Sequence, residues 1–128
     1  MHLRKSTPVL IVDTIEPALA FWRDRLHFSV TVEVPHAGTL GFVILANDRI
    51  EVMYQSAASV RSDAHAPMHW NHDRSYLYVD VDDVDAVARA LVGFEIVLPR
   101  RQTFYGATEI AFREPGGHFV TFAQIASD

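Results

Sequence analysis

The sequence contains no cysteine and no long apolar run. The lack of cysteine excludes a disulfide framework, a cysteine-ligated zinc site and a thiol nucleophile. The apolar run from Val9 to Val12 is too short for a signal-peptide core or a membrane span, and Asp13 follows it. We therefore expect a soluble, cytoplasmic protein that has no membrane partner.

Positive charge is also scarce, because 11 Lys and Arg residues stand against 16 Asp and Glu, for a formal net charge of -5. Phosphate contacts need clustered Lys and Arg, so we expect no nucleic-acid partner. The adjacent pair Arg100-Arg101 is interpreted as part of a solvated loop over residues 99–106. The sequence has no P-loop, dinucleotide fingerprint or nucleophile-elbow motif.

The composition is that of a globular domain, with 128 residues of which 49% are hydrophobic and 21% charged. Both halves of the chain show the same predicted order of a strand, a helix and three strands. In the first half, Pro17 follows Thr14-Ile15-Glu16 and is typical of a helix start. In the second half, Asp82 or Asp83 is expected to cap a helix.

This repeated order predicts an α+β fold of two tandem βαβββ modules within one domain spanning residues 1–128. Module one covers about 5–56, module two covers about 75–126, and a connection over about 57–74 has room for one helical turn. Neither module can bury its own sheet, so we expect them to form an eight-stranded, partly closed curved sheet with a concave pocket.

Strand alternation sorts the side chains onto two faces. Uniformly apolar faces, such as that of Leu10 and Val12, are expected to pack under the helices. Mixed faces are expected to line the concave side, with Thr7, Glu51, Met53, Tyr76, Tyr78, Glu109, Phe119 and Thr121. A wall of aromatic residues with a few carboxylates and hydroxyls is typical of a small-molecule pocket. The alternative is that the polar members simply face water.

Several segments resemble one family in their order and spacing. They are residues 9–13 leading to 20–28, then residues 78–86, and then Phe112-Arg113-Glu114-Pro115-Gly116-Gly117-His118, which is similar to that family's Arg-Asp-Pro-Asp-Gly-His turn. The chain resembles the glyoxalase/bleomycin resistance protein/extradiol dioxygenase (vicinal oxygen chelate) superfamily over nearly its whole length.

The resemblance implies a divalent-metal site with one ligand from each of four strands. The matching positions here are Thr7, Glu51, Tyr76 and Thr121. Of these side chains, only the Glu51 carboxylate is a good metal ligand, because Zn, Ni, Mn and Fe prefer imidazole, carboxylate or thiolate. We therefore expect no metal and no cofactor.

The departure makes the chain closest in character to the metal-free, bleomycin-resistance-like branch. The resemblance then implies a homodimer that binds a small planar or cationic ligand, such as an antibiotic, and confers resistance by sequestration. Trp70 would join the aromatic residues that pack on the ligand, and Glu51 and Glu109 would pair with its cationic or hydrogen-bonding groups.

Two alternatives stay open. One is a glyoxalase-related enzyme of the lyase, isomerase or dioxygenase-like kind that uses Glu51 or Glu109 as general base, with Tyr76 or Tyr78 as hydrogen-bond donor. The other is a lyase with a non-standard metal site. The spacing of His65, His69 and His72 would allow such a site, but Pro67 interrupts the segment, so we interpret these histidines as solvated linker residues.

Overall fold

The structure is a computed structural model and describes residues 1–63 and 73–126. Trp70, and with it the segment containing His65, His69 and His72, lies outside the described residues. The chain divides into two compact units, Met1–His72 and Asp73–Asp128. No helix of the described part is long and apolar enough to cross a membrane.

The first unit contains one four-stranded sheet. Its elements are β1 Val9–Val12, the α-helix α1 Glu16–Leu19 that continues as a π-helix over Ala20–Arg25, β2 Ser29–His36, β3 Thr39–Asn47, β4 Ile50–Ser56 and α2 Ala57–Ser62. The strand order is β1-β4-β3-β2. Strand β1 runs parallel to β4, and the other pairs are antiparallel.

The core of this unit forms between the helix and one face of the sheet. Leu10 and Val12 are buried on that face, as the alternation predicts. Pro17 lies in the first turn of α1, where its missing N–H removes no helical hydrogen bond. Trp22 on the π-helix is fully buried, and its indole Nε1 donates a hydrogen bond to Tyr54 Oη on β4 over 2.9 Å.

The second unit repeats the plan with β5 Tyr76–Asp80, α3 Val84–Ala90, β6 Glu95–Gln102, β7 Ala107–Arg113 and β8 Phe119–Ile125. The strand order is β5-β8-β7-β6, with β5 parallel to β8. Asp83 is the N-cap of α3, since its carboxylate accepts hydrogen bonds from the backbone N–H groups of Asp85 and Ala86. Of the two candidate caps, Asp83 is therefore the one that the helix uses.

The α+β class and the twofold βαβββ order are confirmed, with eight strands in two four-stranded mixed sheets. The loop expected over residues 99–106 was placed too early, because Arg100 and Arg101 belong to β6. This strand is the edge of its sheet, where Pro99 can sit without breaking a ladder hydrogen bond. Shifts of register on either side of Leu98 accommodate the irregularity.

Candidate functional site

The mixed face of the first sheet holds a carboxylate bound by two donors. Thr7 Oγ1 donates a hydrogen bond to Glu51 Oε1 over 2.9 Å, and Lys5 Nζ lies 2.9 Å from the same oxygen. These two contacts, with Lys5 the stronger, hold the pKa of Glu51 below its ordinary value and outweigh the opposing effect of desolvation. The structure thus brings Thr7 and Glu51 together as the sequence predicts, and it adds Lys5.

Apolar side chains surround Met53 on that face. Met53 lies two residues beyond Glu51 on β4, and its neighbours in register are Val9 on β1 and Ile44 on β3. Met53 and Ile44 are partly buried, and Val9 is exposed. Around Glu51 the first sheet therefore presents a largely apolar surface with one neutralised carboxylate.

A row of paired side chains crosses the mixed face of the second sheet. Tyr76 pairs in register with Phe119, which pairs with Arg113, which pairs with Glu95. The Tyr76 and Phe119 rings lie 5.2 Å apart between centroids, and the Arg113 guanidinium lies 4.7 Å from the Phe119 ring. Arg113 Nε in turn contacts Glu95 Oε2 at 3.1 Å. Tyr76 is nevertheless 79% exposed, so its ring is ordered by neighbours but open to solvent.

The next row of this face has a floor of small side chains. Tyr78 on β5 pairs with Thr121 on β8, and Thr121 pairs with Ala111 on β7. Tyr78 is 55% exposed, whereas Ala111 is buried. This row therefore carries one large exposed ring, that of Tyr78, beside two short side chains.

The second carboxylate centre is Glu109, and only 2% of this residue is exposed. Its Oε2 accepts hydrogen bonds from Tyr78 Oη at 2.6 Å and Tyr105 Oη at 2.5 Å, and its Oε1 accepts one from Arg101 at 3.3 Å. We call Glu109, Tyr78, Tyr105 and Arg101 the Glu109 cluster.

The cluster fixes the protonation states of its members. The hydrogen bonds from Tyr105 and Tyr78 hold the pKa of Glu109 below its ordinary value, with a smaller contribution from Arg101 and against the effect of burial. The same contact with Glu109 raises the pKa of Tyr78, and desolvation adds to the rise. At neutral pH, Glu109 is therefore an anion and Tyr78 a neutral phenol.

A depression of about 240 Å³ lies beside this cluster and is lined by Arg101, Gln102, Thr103, Phe104 and Tyr105. Phe104 is fully exposed and meets Tyr105 edge to face, with 5.1 Å between ring centroids. Thr103 closes the turn between β6 and β7, because its backbone N–H and its hydroxyl both bond to Ala107. The depression thus combines a guanidinium, a phenol and an exposed ring on a fixed turn.

The residues present do not fit a divalent metal. Glu51 already holds an ammonium group, and the other positions matching the family's ligands carry Thr7, Tyr76 and Thr121, which are weak donors. Over residues 1–63 and 73–126 there is no group of three or more His, Cys, Asp or Glu side chains that could hold a metal ion. His118 has a structural contact, since its Nδ1 accepts a hydrogen bond from the Ser75 backbone N–H over 2.8 Å.

Sequence reasoning missed three of the residues in these centres. Lys5 could have been found, because alternation carried back from Thr7 places both residues on the same side. Arg101 and Tyr105 fell in the predicted loop, where alternation gives no signal. They become recognisable only once the β6–β7 pairing sets Arg101 opposite Glu109.

The sequence model of the Glyoxalase/Bleomycin resistance protein/Dioxygenase superfamily matches residues 4–122. Among curated proteins, none matches the chain. Many solved structures share the fold. TioX from Micromonospora sp. ML1 has 19% sequence identity and a TM-score of 0.81 over 96% of this chain and 99% of that one.

Two further structures carry names from the same superfamily. Lactoylglutathione lyase from Agrobacterium tumefaciens has 17% identity and a TM-score of 0.77, over 94% of this chain and 92% of that one. A glyoxalase/bleomycin resistance protein/dioxygenase from Nocardioides has 16% identity and a TM-score of 0.70, over 99% and 87%. At these identities the likeness shows a shared fold.

Proposed function

The chain belongs to the glyoxalase/bleomycin resistance protein/dioxygenase superfamily, and we propose that within it the protein binds a small planar ligand without a metal. The observation that carries the proposal is the set of exposed aromatic rings on the second sheet. Tyr76 packs on Phe119, and Tyr78 is tied by its hydroxyl to Glu109. Rings that are already held in place can stack on a flat ligand without losing much conformational entropy.

Metal independence is supported by the state of Glu51. A metal ion would have to displace the Lys5 ammonium and the Thr7 hydroxyl from this carboxylate. The other positions that match the family's ligands carry only hydroxyl and phenol groups, which are weak metal ligands.

The contacts of both carboxylates also weigh against the alternative of metal-free enzymatic proton abstraction. A general base works best when its pKa lies near the operating pH. The pKa values of Glu51 and Glu109 are both shifted downward, away from neutrality. Glu109 is in addition covered by two phenols and a guanidinium.

The same contacts favour an uncharged ligand over a cationic one. Lys5 already neutralises Glu51, and Arg101 already pairs with Glu109. A ligand cation would have to compete with these groups and lose its own hydration, whereas an uncharged flat ring would not.

We further propose a homodimer and, for an antibiotic ligand, resistance by sequestration. Support for the dimer comes from β2, an edge strand whose Val32 and Val34 are 42% and 48% exposed. Exposed apolar side chains of this kind are suited to burial against a second copy of the chain. Size-exclusion chromatography tests this, and a monomer at micromolar concentration contradicts it. A cytoplasmic location remains a prediction.

A thermal-shift screen of planar aromatic compounds, run in EDTA and again with Ni²⁺, Zn²⁺, Mn²⁺ or Fe²⁺, tests the proposed function. We expect binders whose stabilisation is the same in EDTA and which mass spectrometry recovers unchanged. Tyr76→Ala should weaken binding by about tenfold. Ile96→Ala is the matched control, because Ile96 is also exposed but pairs with Phe112, away from the aromatic rows. Conversion of the compound, or binding only with metal, would contradict the proposal.

A further inference from the structure

We infer that the depression beside the Glu109 cluster selects planar ligands that carry an N–H or O–H donor, and that the phenolic oxygen of Tyr105 is the acceptor. This inference rests on the proposed function and adds a hydrogen-bonding rule to it. The shape of the aromatic face allows any flat molecule, so the selection must come from the polar groups.

The acceptor character of Tyr105 follows from proton counting. A phenol has one proton, and an ionised carboxylate can only accept. Tyr78 and Tyr105 both bond to Glu109 Oε2, so each phenol donates its only hydroxyl proton to that oxygen. The remaining hydrogen-bonding capacity of each phenol is then a lone pair, which accepts from water or from an N–H or O–H donor of a ligand that displaces the water.

Tyr105, rather than Tyr78, is assigned to the ligand because of its position. Tyr105 lines the depression and is 51% exposed, whereas Tyr78 lies outside the lining. The Thr103 hydroxyl, which also borders the depression, already donates to the Ala107 carbonyl and accepts from the Ala107 N–H. Its capacity to compete for a ligand donor is therefore reduced.

Arg101 supplies the complementary group. Its side chain is 55% exposed, and one terminal nitrogen of the guanidinium contacts Glu109. A guanidinium has five N–H donors and no acceptor, so its remaining donors suit a carbonyl oxygen. A phenolic acceptor next to a guanidinium donor matches an edge with adjacent N–H and C=O groups, as in an aromatic lactam.

The volume limits the size of such a ligand. The depression of about 240 Å³ is below the roughly 300–1,000 Å³ of pockets for drug-sized ligands. A compound of one or two fused rings is therefore appropriate, with Phe104 available to pack against it.

The test compares the cyclic amide isoquinolin-1(2H)-one with the cyclic ester isocoumarin by isothermal titration calorimetry on the full chain. The two compounds have nearly the same shape and the same carbonyl, but only the amide has an N–H. We expect the amide to bind about tenfold more tightly, because the ester would place an oxygen against the Tyr105 lone pair. Equal affinities, or tighter binding of the ester, would overturn the inference.

Two variants test whether Tyr105 causes the preference for the amide. Tyr105→Phe removes the acceptor and should abolish the preference for the amide. Tyr78→Phe is the matched control, since it also removes one hydrogen bond to Glu109 but leaves Tyr105 in place. We expect both affinities to fall together in Tyr78→Phe, with their ratio kept. A preference that survives in Tyr105→Phe would overturn the assignment.

The outcomes also separate this inference from the proposed function. If neither compound of this pair binds while other planar compounds stabilise the protein in EDTA, the hydrogen-bonding rule is wrong and the proposed function stands. If no planar compound binds, both fail. The comparison of the two compounds on the unmodified protein needs no variant, so it holds even where Tyr105→Phe folds poorly.

Discussion

The Lys5 ammonium lies 2.9 Å from Glu51 Oε1, at the one strong donor among the four positions that match the family's metal ligands. A side-chain cation therefore already neutralises this carboxylate.

Replacement of Lys5 by methionine should raise the pKa of Glu51 toward its ordinary value. Lys5 is the largest cause of the downward shift in the pKa of Glu51, so its removal should change that pKa more than removal of the Thr7 hydroxyl does. Because folding lowers the pKa of Glu51, its ionised carboxylate stabilises the folded protein at pH values above the unfolded pKa of about 4.3. This stabilisation is lost as the pH falls through the folded-state pKa. NMR titration of the Glu51 carboxyl carbon measures the change.

Thr7→Val is the control for this shift. The Thr7 hydroxyl is the second contribution, so Thr7→Val should raise the pKa of Glu51 in the same direction but by less than Lys5→Met. An unchanged pKa in Lys5→Met would show that the ion pair does not form in solution.

Glu109→Gln should destabilise the second unit by about 2 kcal/mol at neutral pH, because a buried group with three donors loses its charge and some of its partners. Urea denaturation measures this loss. The pKa of Glu109 is lowered on folding. The wild type is therefore more stable than the variant at pH values above about 4.3, and it loses this extra stability on acidification. The difference in free energy of unfolding between wild type and variant should therefore become smaller in acid.

Glu95→Gln is a suitable comparison for the Glu109 variant. Glu95 pairs with Arg113 on the surface, with its side chain 59% exposed, and exposed pairs contribute less than about 1 kcal/mol. Equal losses for the two variants would contradict the assignment of Glu109 as the buried centre.

Asp83→Ala should lower the stability of the protein by about 1 kcal/mol, because two backbone N–H groups at the start of α3 lose their acceptor. Asp82→Ala, one residue earlier and exposed, should change stability by less than about 0.5 kcal/mol. Thermal or urea unfolding of the two variants decides between them, and a larger loss for Asp82→Ala would show that the cap is misassigned.

The fold could be predicted from the sequence where buried residues recur at regular spacing along a strand or where a residue typical of a helix start is present. The alternation around Leu10 and Val12 gave the buried face of β1, and Pro17 gave the start of α1. The extension of β6 through Arg100 and Arg101 was not predictable in this way, because residues 99–102 are exposed on both faces of the strand and so leave no alternation of buried and exposed positions to read.

The site was predictable only in part, for a related reason. Alternation put Thr7 with Glu51 and put Tyr78 on the same face as Glu109, and both pairs are hydrogen-bonded. Tyr105, by contrast, contacts Glu109 from the turn between β6 and β7, outside the regular strands. A contact of that kind depends on how the turn is placed, which side-chain patterning does not encode.

Metal analysis of the purified protein tests the central claim most directly. The protein is equilibrated with Ni²⁺, Zn²⁺, Mn²⁺ and Fe²⁺, dialysed extensively, and assayed by elemental analysis beside a Lys5→Met, Thr7→Val double variant. We predict that the wild type retains far less than a stoichiometric amount of any of these metals. A stoichiometric ion retained by the wild type through dialysis would contradict metal-independent binding.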